Sequence, residues 1–294
     1  MSHSQALSAI HCAALLFGLT GVLGELVQAE PAAITLGRAL FAVAALAGFA
    51  RLRRQSLGQG LTRRRLAELA GTGALLALHW VTFFVSVKTG GIAVATLGFA
   101  SFPAFIAVFE SALFHEPIRG AEWRLLLLVT AGLVLVTPSF DLADQGTVGL
   151  AWGIASGLSF ALLAVGNRRA ASGIDPIQVA CWQNAAVALV MLPMAAPRLA
   201  VAAPTDWLWL LLLGVFCTAL SHYLFVSSLA VLKARTAGLI IALEPVYAIG
   251  FAWLLFGQQP TVRMGIGALL ILAASVTAGQ RPSRPAKTAL TITD

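Results

Sequence analysis

Ten apolar runs, each close to the length needed to cross a bilayer, fill almost the whole sequence. They fall at about residues 8–27, 31–50, 66–87, 90–114, 122–138, 147–167, 176–196, 206–230, 235–256 and 261–279. A membrane helix takes about 20 mostly apolar residues, so ten of them use roughly 200 and leave only short loops. Composition points the same way: 59% of the 294 residues are hydrophobic, 11% are charged, and the mean hydropathy is +0.88. Soluble chains carry about 25% charged residues. The pattern predicts an all-α, multi-pass protein whose partner along every helix is the lipid bilayer. It excludes a large soluble domain, a disulfide scaffold and an outer-membrane barrel, whose strands alternate in short segments.

The net charge of +7 does not imply nucleic-acid binding, because it is sorted by side. With the N-terminus in the cytoplasm, the inner loops and tail hold fifteen Lys and Arg, among them Arg51, Arg53, Arg54, Arg63, Arg64 and Arg65. The outer loops hold three, Lys88, Arg198 and Arg263, and Arg38 lies within a helix. Lys and Arg concentrate on the cytoplasmic side of membrane proteins, so both termini are expected inside, in the cell inner membrane. Met1 to Ala6 has no basic stretch, and the first run reads as a retained helix rather than a signal peptide. Cys12, Cys181 and Cys217 lie in apolar runs without paired spacing. They give no sign of a disulfide, a metal site or a cofactor.

The sequence repeats itself. A shift of 142 residues pairs Leu97 with Leu239, Pro103 with Pro245, Phe105 with Tyr247, Phe109 with Phe251, Phe83 with Phe225 and Ser86 with Ser228. Five helices per copy is an odd number, so the second copy enters the membrane upside down. Inverted repeats of this kind build alternating-access transporters. The expected organisation is a first repeat over 1–140, a second over 141–280, and a disordered cytoplasmic tail over 281–294.

Leu243-Glu244-Pro245-Val246-Tyr247 in the ninth run is followed by Leu255-Phe256-Gly257-Gln258-Gln259-Pro260. The first half echoes this ending as Leu113-Phe114-His115-Glu116-Pro117, with Glu116 where the second copy has Gln259. On these motifs and the five-plus-five repeat, the chain resembles the drug/metabolite transporter superfamily over about residues 8–279, specifically its EamA-type ten-helix exporters. Within that family it looks most like YddG-type exporters of amino acids. The resemblance implies export of amino acids, aromatic or hydrophobic ones included, or of a similar metabolite.

Pro103 and Pro245 sit near the middle of their runs. Each proline removes an amide donor and crowds the carbonyl four residues back, so a kink or hinge beside a central cavity is expected at both. Phe99, Phe102, Phe105 and Phe109 share one face of the fourth helix, and Glu244, Tyr247 and Phe251 share the equivalent face of the ninth. Such a stripe serves either packing or an apolar substrate. His79-Trp80 and Ser221-His222-Tyr223 occupy matching positions deep in the membrane, where polar side chains usually face the protein interior or a water path. His79, Trp80, Phe83, Phe99, Phe102, Tyr223, Glu244 and Tyr247 are therefore the candidate substrate-binding residues. Glu25 and Arg38 flank the first hairpin, roughly 7 Å and 13 Å deep at 1.5 Å per residue. Two readings stand for them: an ion pair between helices one and two, or a site where Arg38 takes a substrate carboxylate. Gly18, Gly21 and Gly24 permit close helix approach.

Enzyme signatures are missing: there is no His-Glu-x-x-His, Gly-x-Ser-x-Gly or Walker sequence, so no catalytic residues are assigned. The expected function is export of small metabolites by alternating access, by a chain working as a monomer. The alternatives are proton-coupled export of amphipathic drugs or other metabolites, with Glu244 as the titrating group, or an intramembrane enzyme.

Overall fold

The computed structural model describes residues 2–114, 120–137, 139, 141–229, 231–232, 240–241 and 243–279. The expected tail, the Glu116-Pro117 pair and the start of the ninth run lie outside these residues. Local chemistry opens the helices. Ser2 and Gln5 form a reciprocal capping box at the start of α1 (His3–Leu26), which satisfies two otherwise orphaned donors. Proline takes the first position of α2 (Pro31–Leu52), where a missing N–H costs nothing. Thr62 caps α3 (Arg63–Phe99). There follow α4 (Phe102–Phe114), α5 (Gly120–Val136), α6 (Gln145–Ala170) capped by Asp144, and α7 (Pro176–Ala200) capped by Asp175. Next come α8 (Pro204–Gly214), a π-helical turn at Val215–Leu220, α9 (Ser221–Leu229), α10 (Glu244–Phe256) and α11 (Val262–Gly279).

α3 has 37 residues. A straight helix of that length would span about 55 Å, nearly twice a hydrocarbon core of about 30 Å. It does not run straight. Gly91 adopts φ 83° and ψ 169°, in the left-handed region open to glycine, and the chain turns back on itself there. α6 records the reversal. The hydroxyl of Ser86 and the backbone of Gly90 both lie against Gly149, whereas further along α6 His79 meets Ser156 and Gly98 meets Gly153. The two arms of α3 thus leave Gly91 in the same direction, as the third crossing and the first half of the fourth.

The fourth crossing is completed by α4 after a break at Ala100-Ser101. The sequence alone predicts a kink or hinge at Pro103 within one helical run over 90–114. Instead the helix stops and restarts one residue ahead of that proline, so Pro103 falls in a first turn where no donor is missed. The Ser101 hydroxyl donates to the Gly98 carbonyl at 2.7 Å, and Ala104 N donates to Ser101 O at 3.0 Å. Pro245 is placed alike. α10 begins at Glu244, preceded by a turn in which Leu243 N donates to Ile240 O at 3.1 Å.

Six helical spans are long and apolar enough to cross a membrane, and four shorter apolar helices supply or complete the rest. With α3 counted as two arms, the described residues trace ten crossings in two five-helix repeats of opposite orientation. Exposed side chains on the outside are apolar: Leu127, Leu189, Leu254 and Leu269 are each at least 67% exposed. On a soluble protein such a surface would aggregate; here it faces lipid.

α6 presses into the α3 hairpin along Gly149, Gly153 and Gly157, spaced four apart on one face. A Cβ at Gly153 would meet Gly98 Cα at 3.2 Å, and one at Gly157 would meet the Phe99 carbonyl at 2.9 Å. Backbone touches backbone, so nothing flexible can yield. Gly149→Val should lower stability by about 1–3 kcal/mol through overpacking, read as a reduced melting temperature of the detergent-solubilised protein. Gly71→Ala, where a Cβ meets open space, should leave it unchanged.

Candidate substrate cavity

A cavity of about 420 Å³ lies at the centre of the bundle. Its walls follow the repeat. Leu76 and Thr218, Trp80 and His222, Phe83 and Phe225, Phe99 and Ile241, Phe102 and Glu244, and Arg38 and Ala180 all line it; each pair is 142 residues apart. The backbone symmetry is not matched by polarity. Leu76, Trp80 and Phe102 of the first half are answered by Thr218, His222 and Glu244 of the second, whereas Phe83/Phe225 and Phe99/Ile241 are apolar in both. Arg38 alone of these pairs reverses the pattern.

The apolar wall is a ring cluster. Phe99 stacks on Phe102 at 5.1 Å, and Phe160 of α6 stands edge-on to both at 5.3 Å and 5.0 Å. His79 joins it, 5.0 Å from Phe99 and 5.1 Å from Phe160. Its Nδ1 lies 2.8 Å from Ser156 Oγ and 3.2 Å from Ser156 O, and the Ser156 hydroxyl donates to the His79 carbonyl. These partners assign the ring proton to Nδ1 and leave Nε2 as an acceptor with no hydrogen bond among the described residues.

The polar wall centres on Arg38, about 10 Å along α2 from its start at 1.5 Å per residue. Its guanidinium lies 3.9 Å from the Trp80 ring centre, a cation–π geometry. Nε and Nη2 donate to Thr218 Oγ1 at 3.0 Å and 2.8 Å. Thr218 belongs to the π-helical turn and passes its own proton to Leu213 O at 2.9 Å. Asn184 Nδ2 donates to Ala180 O, while Gln183 bridges Thr72 and Asn167.

Glu25 and Arg38 do not pair. Glu25 sits in the last turn of α1, level with the tip of the α3 hairpin, where Lys88 Nζ lies 3.7 Å from its carboxylate. The same Nζ donates to the carbonyls of Glu25 and Val27, both at 2.8 Å. Asp206 accepts from Gln28 N at 2.8 Å, and Arg198 pairs with Glu30 at 2.9 Å. These contacts tie the α1–α2 loop to three other elements and seal the bundle at the end away from the N-terminus.

Of the candidate residues, His79, Trp80, Phe83, Phe99, Phe102 and Glu244 line the cavity. Tyr223 and Tyr247 do not. Tyr223 stacks edge-on against Phe49 at 4.8 Å and takes a hydrogen bond from Arg53. Tyr247, three residues beyond Glu244, turns into the α1–α10 seam, where its Cβ faces Gly18. Cys217 lines the cavity and is buried, as is Cys181, whereas Cys12 is exposed. Among the described residues no group of His, Cys, Asp and Glu could hold a metal.

A two-copy match closes the question of lineage. The model of the EamA-like transporter family matches residues 5–137 and again residues 147–279. The chain belongs to the EamA-like transporter family. An uncharacterised transporter of Archaeoglobus fulgidus is 27% identical over 275 residues, covering 92% of this chain and 95% of that one. The pseudopaline exporter CntI of Pseudomonas aeruginosa is 25% identical over 228 residues, covering 74% and 77%. The threonine/homoserine exporter RhtA of Escherichia coli is 25% identical over 202 residues, covering 66% and 64%. A crystal structure of another protein superposes with a TM-score of 0.68 at 20% identity, covering 94% of this chain and 97% of that one, which is a likeness of fold.

Several lining residues of this EamA-like transporter carry no sequence signal. Phe160 sits in an apolar run with nothing to mark its face, and Thr218 reaches Arg38 through a π-helical turn that composition does not announce. Asn167, Gln183 and Asn184 were noticeable as polar residues in apolar runs, but their facing depends on packing. Ser156→Ala would strip the His79 ring of its nearest partner. It should destabilise the protein by about 1–3 kcal/mol, the usual penalty for an abandoned buried polar group, measured as a melting shift in detergent.

Proposed function

We propose that the chain exports amino acids, aromatic and hydrophobic ones included, across the cell inner membrane by alternating access through the central cavity. The observation that carries this reading is the division of the cavity: an aromatic cluster of Phe99, Phe102 and Phe160 on one side, and single charges of each sign, Arg38 and Glu244, on the other. A substrate with an apolar body and a small polar head complements such walls. Relatives named as exporters, one of them of threonine and homoserine, support the same class. His79, Trp80, Phe83, Phe99, Phe102 and Glu244 contact substrate in this scheme, and the helix breaks before Pro103 and Pro245 act as the hinges. Alanine at His79 should lower flux without lowering expression.

Both termini lie in the cytoplasm in this reading, so the sealed end faces outward. Labelling of Ser56→Cys in intact cells by an impermeant thiol reagent should fail and should succeed after permeabilisation; labelling of intact cells would reverse the orientation.

Counterflow in proteoliposomes with a panel of labelled amino acids tests the activity. Phenylalanine or a similarly apolar amino acid should exchange. Phe160→Ala should weaken it by roughly tenfold, as loss of 1–2 kcal/mol of apolar contact implies, with less effect on threonine. No exchange of any amino acid would overturn the reading.

Glu244 supports a second reading in which protons drive export, because its carboxylate accepts no hydrogen bond among the described residues. Glu244→Gln keeps the shape but cannot titrate. If coupling operates, the variant should lose accumulation driven by a pH gradient and retain equilibrium exchange. A wild type indifferent to the gradient would be a facilitator, the simpler of the two schemes.

A further inference from the structure

A guanidinium carries five N–H donors in a fixed planar fork and is charged at any physiological pH. Buried, it requires partners for those donors and a counter-charge, because an unpaired charge in a low dielectric is strongly disfavoured. Arg38 is 3% exposed and has only part of what it requires. The Nε–Nη2 edge is occupied by Thr218, with the Cys217 carbonyl 3.5 Å from Nη2. One face is covered by Trp80. Nη1 is buried and has no hydrogen-bond partner among the described residues. Among the described residues no carboxylate lies within ion-pair distance of it, and Glu244 lines the same cavity.

The arrangement fixes the fork rather than satisfying it. Because the Thr218 hydroxyl proton is committed to Leu213 O, its oxygen can only accept, and it holds the guanidinium in plane against the indole. What remains is an oriented, buried donor on the cavity wall.

The same wall carries open acceptors. Asn184 is 4% exposed and donates its amide to Ala180 O, but its Oδ1 is buried without a partner among the described residues. The carboxylate of Glu244 accepts no hydrogen bond among the described residues. Among the described residues Arg38 is the only Lys or Arg lining the cavity and Glu244 the only acid. One unsatisfied donor with a positive charge, and two unsatisfied acceptors of which one is negative, form the complement of a zwitterion with one carboxylate and one ammonium group.

Resting on the amino-acid reading above, we propose that Arg38 is the carboxylate anchor of the transport site. A monocarboxylate docks on Nη1 of Arg38, its α-ammonium faces Glu244 and Asn184, and its side chain lies against Phe99, Phe102 and Phe160. Binding supplies the counter-charge that Arg38 lacks. Thr218 and Trp80 are positioning residues, and the π-helical turn exists to bring the Thr218 oxygen to the guanidinium.

The test uses the full chain, purified in detergent and reconstituted, with four probes: phenylalanine, phenylalaninamide, 3-phenylpropionate and phenethylamine. They share the ring and differ in which polar groups they carry. Binding is read as ligand-induced thermal stabilisation, and transport as competition in counterflow. In the wild type, phenylalanine should bind at least about tenfold tighter than its amide, the size expected for a charged hydrogen bond. Phenethylamine should be similarly weak. In Arg38→Gln the preference for acid over amide should fall below about threefold while the amide's own affinity is retained. Arg38→Lys, which keeps the charge and is the safer variant for folding, should show an intermediate preference. An Arg38→Gln or Arg38→Lys protein that folds and keeps the full acid-over-amide preference would overturn the proposal. The binding arm separates it from the activity it rests on: if no amino acid is transported but 3-phenylpropionate still outbinds phenethylamine through Arg38, the export reading fails and the anchor stands. If neither carboxylate probe stabilises the wild type, the anchor fails too.

Discussion

Hydrocarbon offers the backbone no hydrogen bonds, so every amide and carbonyl that leaves a helix inside the membrane must be satisfied by the protein itself. That constraint governs where this chain can depart from regular helix. Among the described residues it departs in three places: between Phe99 and Phe102, ahead of Glu244, and through the π-helical turn Val215–Leu220. All three border the central cavity, where neighbouring helices and polar side chains are within reach. Ser101 covers the first break and Thr218 the third, while turn bonds bridge the second. The cavity and the irregular backbone are therefore one feature. Straightening the helices would remove the residues that line it.

Keeping such breaks sealed requires tight packing around them. The glycine row of α6 lets both arms of the α3 hairpin come within backbone contact, which leaves no room for lipid or water beside Gly98 and Ser101. Ser86 adds a hydrogen bond of 2.6 Å to Gly149 O in the same seam. At the far end, Lys88 on the hairpin tip donates to the last carbonyls of α1, where a cation also complements the helix dipole. These contacts are polar and sit at the bundle's edge.

Inversion of the repeats also distributes chemistry. Equal backbone positions in the two halves meet around one cavity, yet Leu76, Trp80 and Phe102 have Thr218, His222 and Glu244 as their counterparts, so the two halves line it with different chemistry. Membership of the EamA-like transporter family fixes the scaffold and the transport class. The side chains at the paired positions, above all Arg38 against Ala180 and Glu244 against Phe102, give the cavity its asymmetry.

Much of this was legible without coordinates. Ten apolar runs, the 142-residue shift and the paired prolines specify ten crossings in two inverted repeats, because hydrophobic length and chain parity leave no other arrangement. Lining residues in the proline-broken helices, such as Phe99, Phe102 and Glu244, could be picked out for the same reason: a break in lipid must face inward. Other assignments depended on distances no sequence carries. Glu25 and Arg38 lie close along the first hairpin, but Glu25 meets Lys88, 63 residues away, and Arg38 meets Thr218, 180 residues away. Tyr223 and Tyr247 sit beside cavity residues in sequence, but helical rotation turns them into seams with α2 and α1. Membrane crossing could be read from composition because transfer of apolar side chains into hydrocarbon adds up over a run of about 20 residues. Hydrogen-bond partners and facing could not, because they are set by how separate helices rotate against one another, and only the packed bundle fixes that rotation.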